Sequence, residues 1–128
     1  MHLHALLMDP SAMSRETLKQ ALTASGLARF TFTEAGGPEE ARFRFDAKRT
    51  DIAFLAFDHQ TKLSVAFRLV GDMRLEQKRP LLIIIVGSER CVERLDLLDI
   101  DHSLVRPVRP QTIKTELTPL LETIRAAR

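Results

Sequence analysis

The chain has 128 residues, 45% hydrophobic and 28% charged, with 19 basic against 17 acidic side chains and a net charge of +2. That length suits one domain, residues 1–128, with its own core, and the interspersed charge and lack of Tyr and Trp argue against a nucleic-acid partner. The single cysteine, Cys91, excludes an internal disulfide and fits a reducing cytoplasm; no apolar run exceeds Leu81 to Val86, so no membrane partner is expected.

The start, Met1-His2-Leu3-His4, lacks the pattern of a secretory signal. Leu3 to Met8 reads as a buried strand that delivers Asp9 to its C-terminal end. His2 and His4 share one side of it, because side chains alternate along a strand; two histidines alone are a weak metal signal. Ser11 to Ser25 follows with apolar residues at helical spacing, and Gly26 closes it as a C-terminal cap. In Arg29 to Thr33, Phe30 and Phe32 alternate with Thr31 and Thr33, which suits an edge strand with one wetter face. Gly36-Gly37-Pro38 is a loop, and Pro38 suits the first turn of a helix over Glu39 to Lys48.

Ile52 to Phe57 and Leu81 to Val86 are apolar at every position. Strands buried on both faces read that way and belong to parallel sheets covered by helices. Between them, Lys62 to Glu76 has near-helical apolar spacing, weakened by Gly71. Glu89 to Leu98 is a shorter amphipathic stretch. Ser103 to Val105 is a short strand, and Pro110 to Ala127 carries Ile113, Leu117, Leu120, Leu121 and Ile124 on one stripe. The order is strand then helix, five times over, and this implies a doubly wound parallel α/β sheet. Ligands of such sheets bind outside the C-terminal strand ends. Asp9, Phe57-Asp58-His59, Gly87-Ser88 and Arg106-Pro107 therefore surround one site.

Three segments carry a family likeness: Asp9-Pro-Ser-Ala-Met-Ser-Arg, Asp51-Ile-Ala-Phe-Leu-Ala-Phe, and Leu104-Val-Arg-Pro-Val-Arg-Pro. With the five strand–helix units they resemble a response-regulator receiver domain over nearly the whole chain. The resemblance implies strand order 2-1-3-4-5 flanked by five helices, and a place in two-component or phosphorelay signalling. It also implies an acidic pair, an acceptor Asp, a Ser or Thr and a Lys-Pro around a Mg²⁺ ion. This sequence departs from that set. Met8-Asp9 replaces the acidic pair, Ala56 stands at the acceptor position, Val86 at the hydroxyl position, and Arg106-Pro107 at the Lys-Pro. Ala56 has no nucleophile, and Asp9 alone is a poor magnesium site. No metal or other cofactor is expected.

Three side chains keep two readings each. Asp58 is a solvated or capping loop acid, or a displaced acceptor swung inward by a bulge. Ser88 is an N-cap for the helical stretch that follows, or a displaced hydroxyl. Arg106 turns to solvent, or pairs with Asp9 or Asp58 in a standing ion pair. The resemblance also implies a cis bond before Pro107.

The expectation is a phosphorylation-independent pseudo-receiver, a protein–protein interaction module of bacterial signalling and not an enzyme. No Gly-rich phosphate loop, metal-spaced cluster or nucleophile–base pair occurs in the sequence. The resemblance implies a partner face drawn from Glu89 to Leu98, Ser103 to Val105 and Ile113 to Ala127, which also suits a homodimer. Leu97, Leu98 and Ile100, among Asp96, Asp99 and Asp101, either form a contact patch there or cover the sheet. The alternative function is a small anionic-ligand sensor, with Arg106 and Arg109 in the pocket, although Asp9 would repel an anion. No output domain is expected after the last helical stretch.

Overall fold

The computed structural model describes residues 1–46, 48–58, 61–75, 80–87 and 97–127. Five strands, β1 (His2–Met8), β2 (Arg29–Ala35), β3 (Ile52–Ala56), β4 (Leu81–Val86) and β5 (His102–Val105), form one sheet. All pair in parallel, in the order β2-β1-β3-β4-β5. Among the described residues the helices are α1 (Ala12–Ser25), α2 (Pro38–Arg44), α3 (Leu63–Arg74) and α4 (Pro110–Ala127). The helical stretch expected over Glu89 to Leu98 lies outside the described residues, apart from Leu97 and Leu98.

The all-apolar strands are buried because helices cover both faces of the sheet. On one face Ala5, Leu7, Phe54, Ile83 and Leu104 pack against Ala21 and Leu22 of α1 and Ile113 and Leu117 of α4. On the other, Leu6, Ala53, Leu55, Leu82 and Ile84 meet Ala41 of α2 and Ala66, Leu69 and Met73 of α3. Each large aliphatic side chain sealed in this way contributes about 1.5–3 kcal/mol relative to its exposed state.

Local chemistry sets the element ends. Ser11 caps α1 by accepting the Ser14 N–H at 3.2 Å. Gly26 ends it at φ 70°, a left-handed conformation that glycine adopts without a Cβ clash. α2 stops at Arg44, short of the expected Lys48, because Asp46 competes for the backbone: its side chain accepts the Lys48 N–H, and its carbonyl accepts those of Arg49 and Thr50. α3 runs through Gly71 without a break.

β2 is an edge strand with two unlike faces. Phe30 and Phe32 stack at 5.9 Å and pack toward the α1 side. Thr31 and Thr33 face the histidines: each hydroxyl lies 2.8 Å from a ring nitrogen of His4, and His2 Nε2 lies 3.3 Å from Thr31. Burial, followed by the charge of Arg49, holds the His4 imidazolium below its ordinary pKa.

Candidate functional site

The site is built where β1 ends. The Asp9 N–H donates to the Ala35 carbonyl at 3.0 Å and extends the β1–β2 ladder by one step. Asp9 is nearly buried, at 8% exposure. Oδ1 accepts the Ser11 N–H at 2.9 Å, closing the turn into α1, and Oδ2 accepts from Arg106 Nη2 at 2.7 Å. Of the two carboxylates open to Arg106, the structure gives Asp9. The pair joins the ends of β1 and β5 across β3 and β4. The Arg106–Pro107 peptide bond is cis.

A second set of charges braces the same turn. Arg15 Nη1 donates to the Asp9 carbonyl while its Nε holds Glu34 at 3.1 Å. Lys19 reaches Glu34 at 3.2 Å and Glu16 at 3.2 Å. The Lys19 ammonium, seconded by Arg15, holds the Glu34 carboxyl below its usual range, and Glu34 and Glu16 raise Lys19 in return. Sequence reading missed this set. The only available signal was the four-residue spacing of Arg15 and Lys19 on one helix face.

The remaining expected residues fall in different places. Met8 and Val86 sit in the core on the α2–α3 side, at 2% and 0% exposure, and do not line the pocket. The correction has a simple cause: neither side chain carries a polar atom that would keep it at the wet strand ends. Ala56 ends β3 opposite Ile85, half-buried on the α1–α4 side. Asp58 is exposed and tied to its own loop, where Oδ1 accepts the Thr61 N–H at 2.9 Å and the Thr61 hydroxyl at 3.2 Å. Ser88, His59 and Cys91 lie outside the described residues.

The expected contact patch also resolves into separate roles. Leu98 is in the core, Ile100 packs against it, and Leu97 is 70% exposed. Arg74 ties α3 to the loop before β5, with Nε on the Asp99 carbonyl at 2.7 Å and Nη2 on Asp101 at 2.9 Å. Asp101 also accepts the Leu82 N–H at 2.7 Å.

Beside the Asp9–Arg106 pair an open cleft of about 440 Å³ separates α1 from the segment after β5. Its apolar walls are Met13, Leu18, Ile85, Pro107 and Val108. Asp9 and Arg106 supply its charged lining, and Ser14 and Thr17 its hydroxyls.

A magnesium ion does not fit these residues. Mg²⁺ requires carboxylate and water oxygens. Asp9 has committed both oxygens to Ser11 and Arg106, and the flanking side chains of Met8 and Ala56 offer none. Among the described residues no three His, Cys, Asp or Glu side chains converge on a metal position. No described helix is long and apolar enough to cross a membrane.

Solved structures share this architecture. The REC domain of AraT, a response regulator from Geobacillus stearothermophilus, aligns over 99% of this chain and 98% of its own, at TM-score 0.77 and 21% identity. A CheY-like response regulator receiver domain from Methanospirillum hungatei aligns over the full length of both chains at TM-score 0.76 and 15% identity. The chemotaxis protein CheY4 of Vibrio cholerae does so at TM-score 0.66 and 18% identity. No family model and no curated protein matches the sequence. The fold is that of receiver domains.

Proposed function

We propose that this chain, with its receiver fold, is a pseudo-receiver of two-component signalling that binds protein partners without aspartyl phosphorylation. The observation that carries the reading is the Asp9–Arg106 ion pair at 2.7 Å, beside an alanine at the acceptor position. In a working receiver the carboxylates hold a metal and the cation reads a phosphoryl group. Here the last carboxylate and the cation satisfy each other, and Ala56 cannot form an acyl phosphate. The pocket then holds one state with no input.

Function passes to surfaces. The proposed partner face runs over β5, α4 and the preceding segment, with Leu97 as its exposed apolar contact. A homodimer through that face is part of the same proposal, as are a cytoplasmic setting and the absence of catalysis.

The Asp58 acceptor reading is weaker, because Asp58 is engaged with Thr61 within its own loop. The anion-sensor reading is weaker too, because Asp9 already engages the cation an anion would need. The test is a titration with beryllofluoride and Mg²⁺ followed by amide shifts. The proposal expects no saturable change around residues 9, 56, 58 and 106; a saturable change centred there would refute it.

A further inference from the structure

We infer that the cleft beside the Asp9–Arg106 pair binds an uncharged apolar small molecule that carries a carbonyl oxygen. This goes beyond the protein-binding reading and does not rest on it. A volume of about 440 Å³ lies within the range of small-molecule sites. The walls supplied by Met13, Leu18, Ile85, Pro107 and Val108 suit an acyl or aryl body. Met13 stands at 81% exposure in the first turn of α1, a large apolar side chain left in water beside this cleft.

The charged lining selects the head group. The Asp9 carboxylate accepts from Ser11 on one oxygen and from Arg106 on the other. A guanidinium has five N–H donors. Among the described residues the Arg106 side chain makes one hydrogen bond, through Nη2 to Asp9. Arg106 therefore has further N–H donors to offer here, and they call for an acceptor. The pair is already neutral. A ligand carboxylate would lose its hydration beside Asp9 without a counter-charge of its own, and an ammonium would lose its hydration beside Arg106 in the same way. A carbonyl oxygen takes the Arg106 N–H and adds no charge.

The sequence has no Trp and no Tyr, so Met13→Trp places one fluorescent reporter at the mouth, on an exposed position. That chain is titrated separately with octanamide, octanoate and octylammonium. Octanamide should shift the emission saturably, with a half-point below about 1 mM. Octanoate should bind about tenfold more weakly, and octylammonium should give no saturable response. Adding Thr17→Phe, which fills the cleft from an exposed position on α1, should weaken octanamide at least about tenfold while the circular dichroism is unchanged. Octanamide should also raise the melting temperature of the unsubstituted chain. Equal responses to all three probes would reduce the effect to partitioning onto apolar surface and overturn the inference. So would tighter binding of octanoate, octanamide binding that survives Thr17→Phe, or no saturable binding at all.

Discussion

Replacing Arg106 by Ala removes the partner of a nearly buried carboxylate. Asp9 is 8% exposed, and after the substitution the Ser11 N–H is the side-chain hydrogen bond left to it. Breaking a fully buried pair costs about 3–5 kcal/mol, whereas an exposed pair contributes about 0.2–1 kcal/mol. The Arg106 side chain is 40% exposed and the Asp9 side chain 11%, so water screens the pair from one side only. Discounting for that screening places the loss at about 1–2 kcal/mol, or about 4–8 °C in melting temperature for a chain of this size. A double-mutant cycle in urea with Asp9→Asn and Arg106→Ala isolates the pair, because Asn keeps an acceptor for Ser11. The coupling should be about 1–2 kcal/mol and should shrink in molar salt. A coupling below about 0.3 kcal/mol would mean that the two side chains do not hold each other in solution, and the locked-pocket argument would fail.

Other consequences are independent of the pair. Leu98→Ala should cost about 2–4 kcal/mol, because Leu98 belongs to the core, whereas Leu97→Ala should stay within about 0.5 kcal/mol; equal effects in urea melts would contradict the packing described. Gly26→Ala should destabilise by about 1 kcal/mol through its positive φ, and a neutral result in the same assay would contradict the left-handed cap. The pKa of His4 is lowered in the folded chain, so its contribution is present above 6.5 and is lost as pH falls through the lower folded value. Wild type should therefore lose stability relative to His4→Gln as pH falls from 7 toward 5, and parallel curves would rule out that coupling. Glu34 is also lowered, chiefly by Lys19, so its contribution is present above 4.5 and lost at more acid pH; Glu34→Gln should flatten that part of the acid melt.

The fold was legible because apolar runs and breakers agree. LLIIIV was assigned its observed span from the residues alone, as was the final helix from Pro110 to Ala127. Ends that depend on other segments were harder to read. β2 extends to Ala35 because β1 pairs with it there, and nothing within RFTFTEA announces that partner. α2 is short because of Asp46, whose competing turn ends a helix that the local composition would carry on to Lys48.

The site was legible in part. The strand-end rule brought Asp9 and Arg106 together although they lie 97 positions apart. Choosing between Asp9 and Asp58 needed the loop geometry, in which Asp58 is held by Thr61; the three-residue Asp-to-Thr spacing was a local clue to that self-capping turn. Leu97, Leu98 and Ile100 looked alike in sequence because a short irregular stretch has no period to separate buried from exposed positions. The cleft had no sequence signal, since its walls come from three distant segments.

With Ala56 at the acceptor position and Asp9 held by Arg106, the pocket should accept no phosphoryl group. Incubating the chain with acetyl phosphate and Mg²⁺ and recording its intact mass tests this directly, with Asp58→Ala run in parallel. The account predicts an unchanged mass for both proteins; an added phosphoryl mass in wild type that disappears in Asp58→Ala would contradict it.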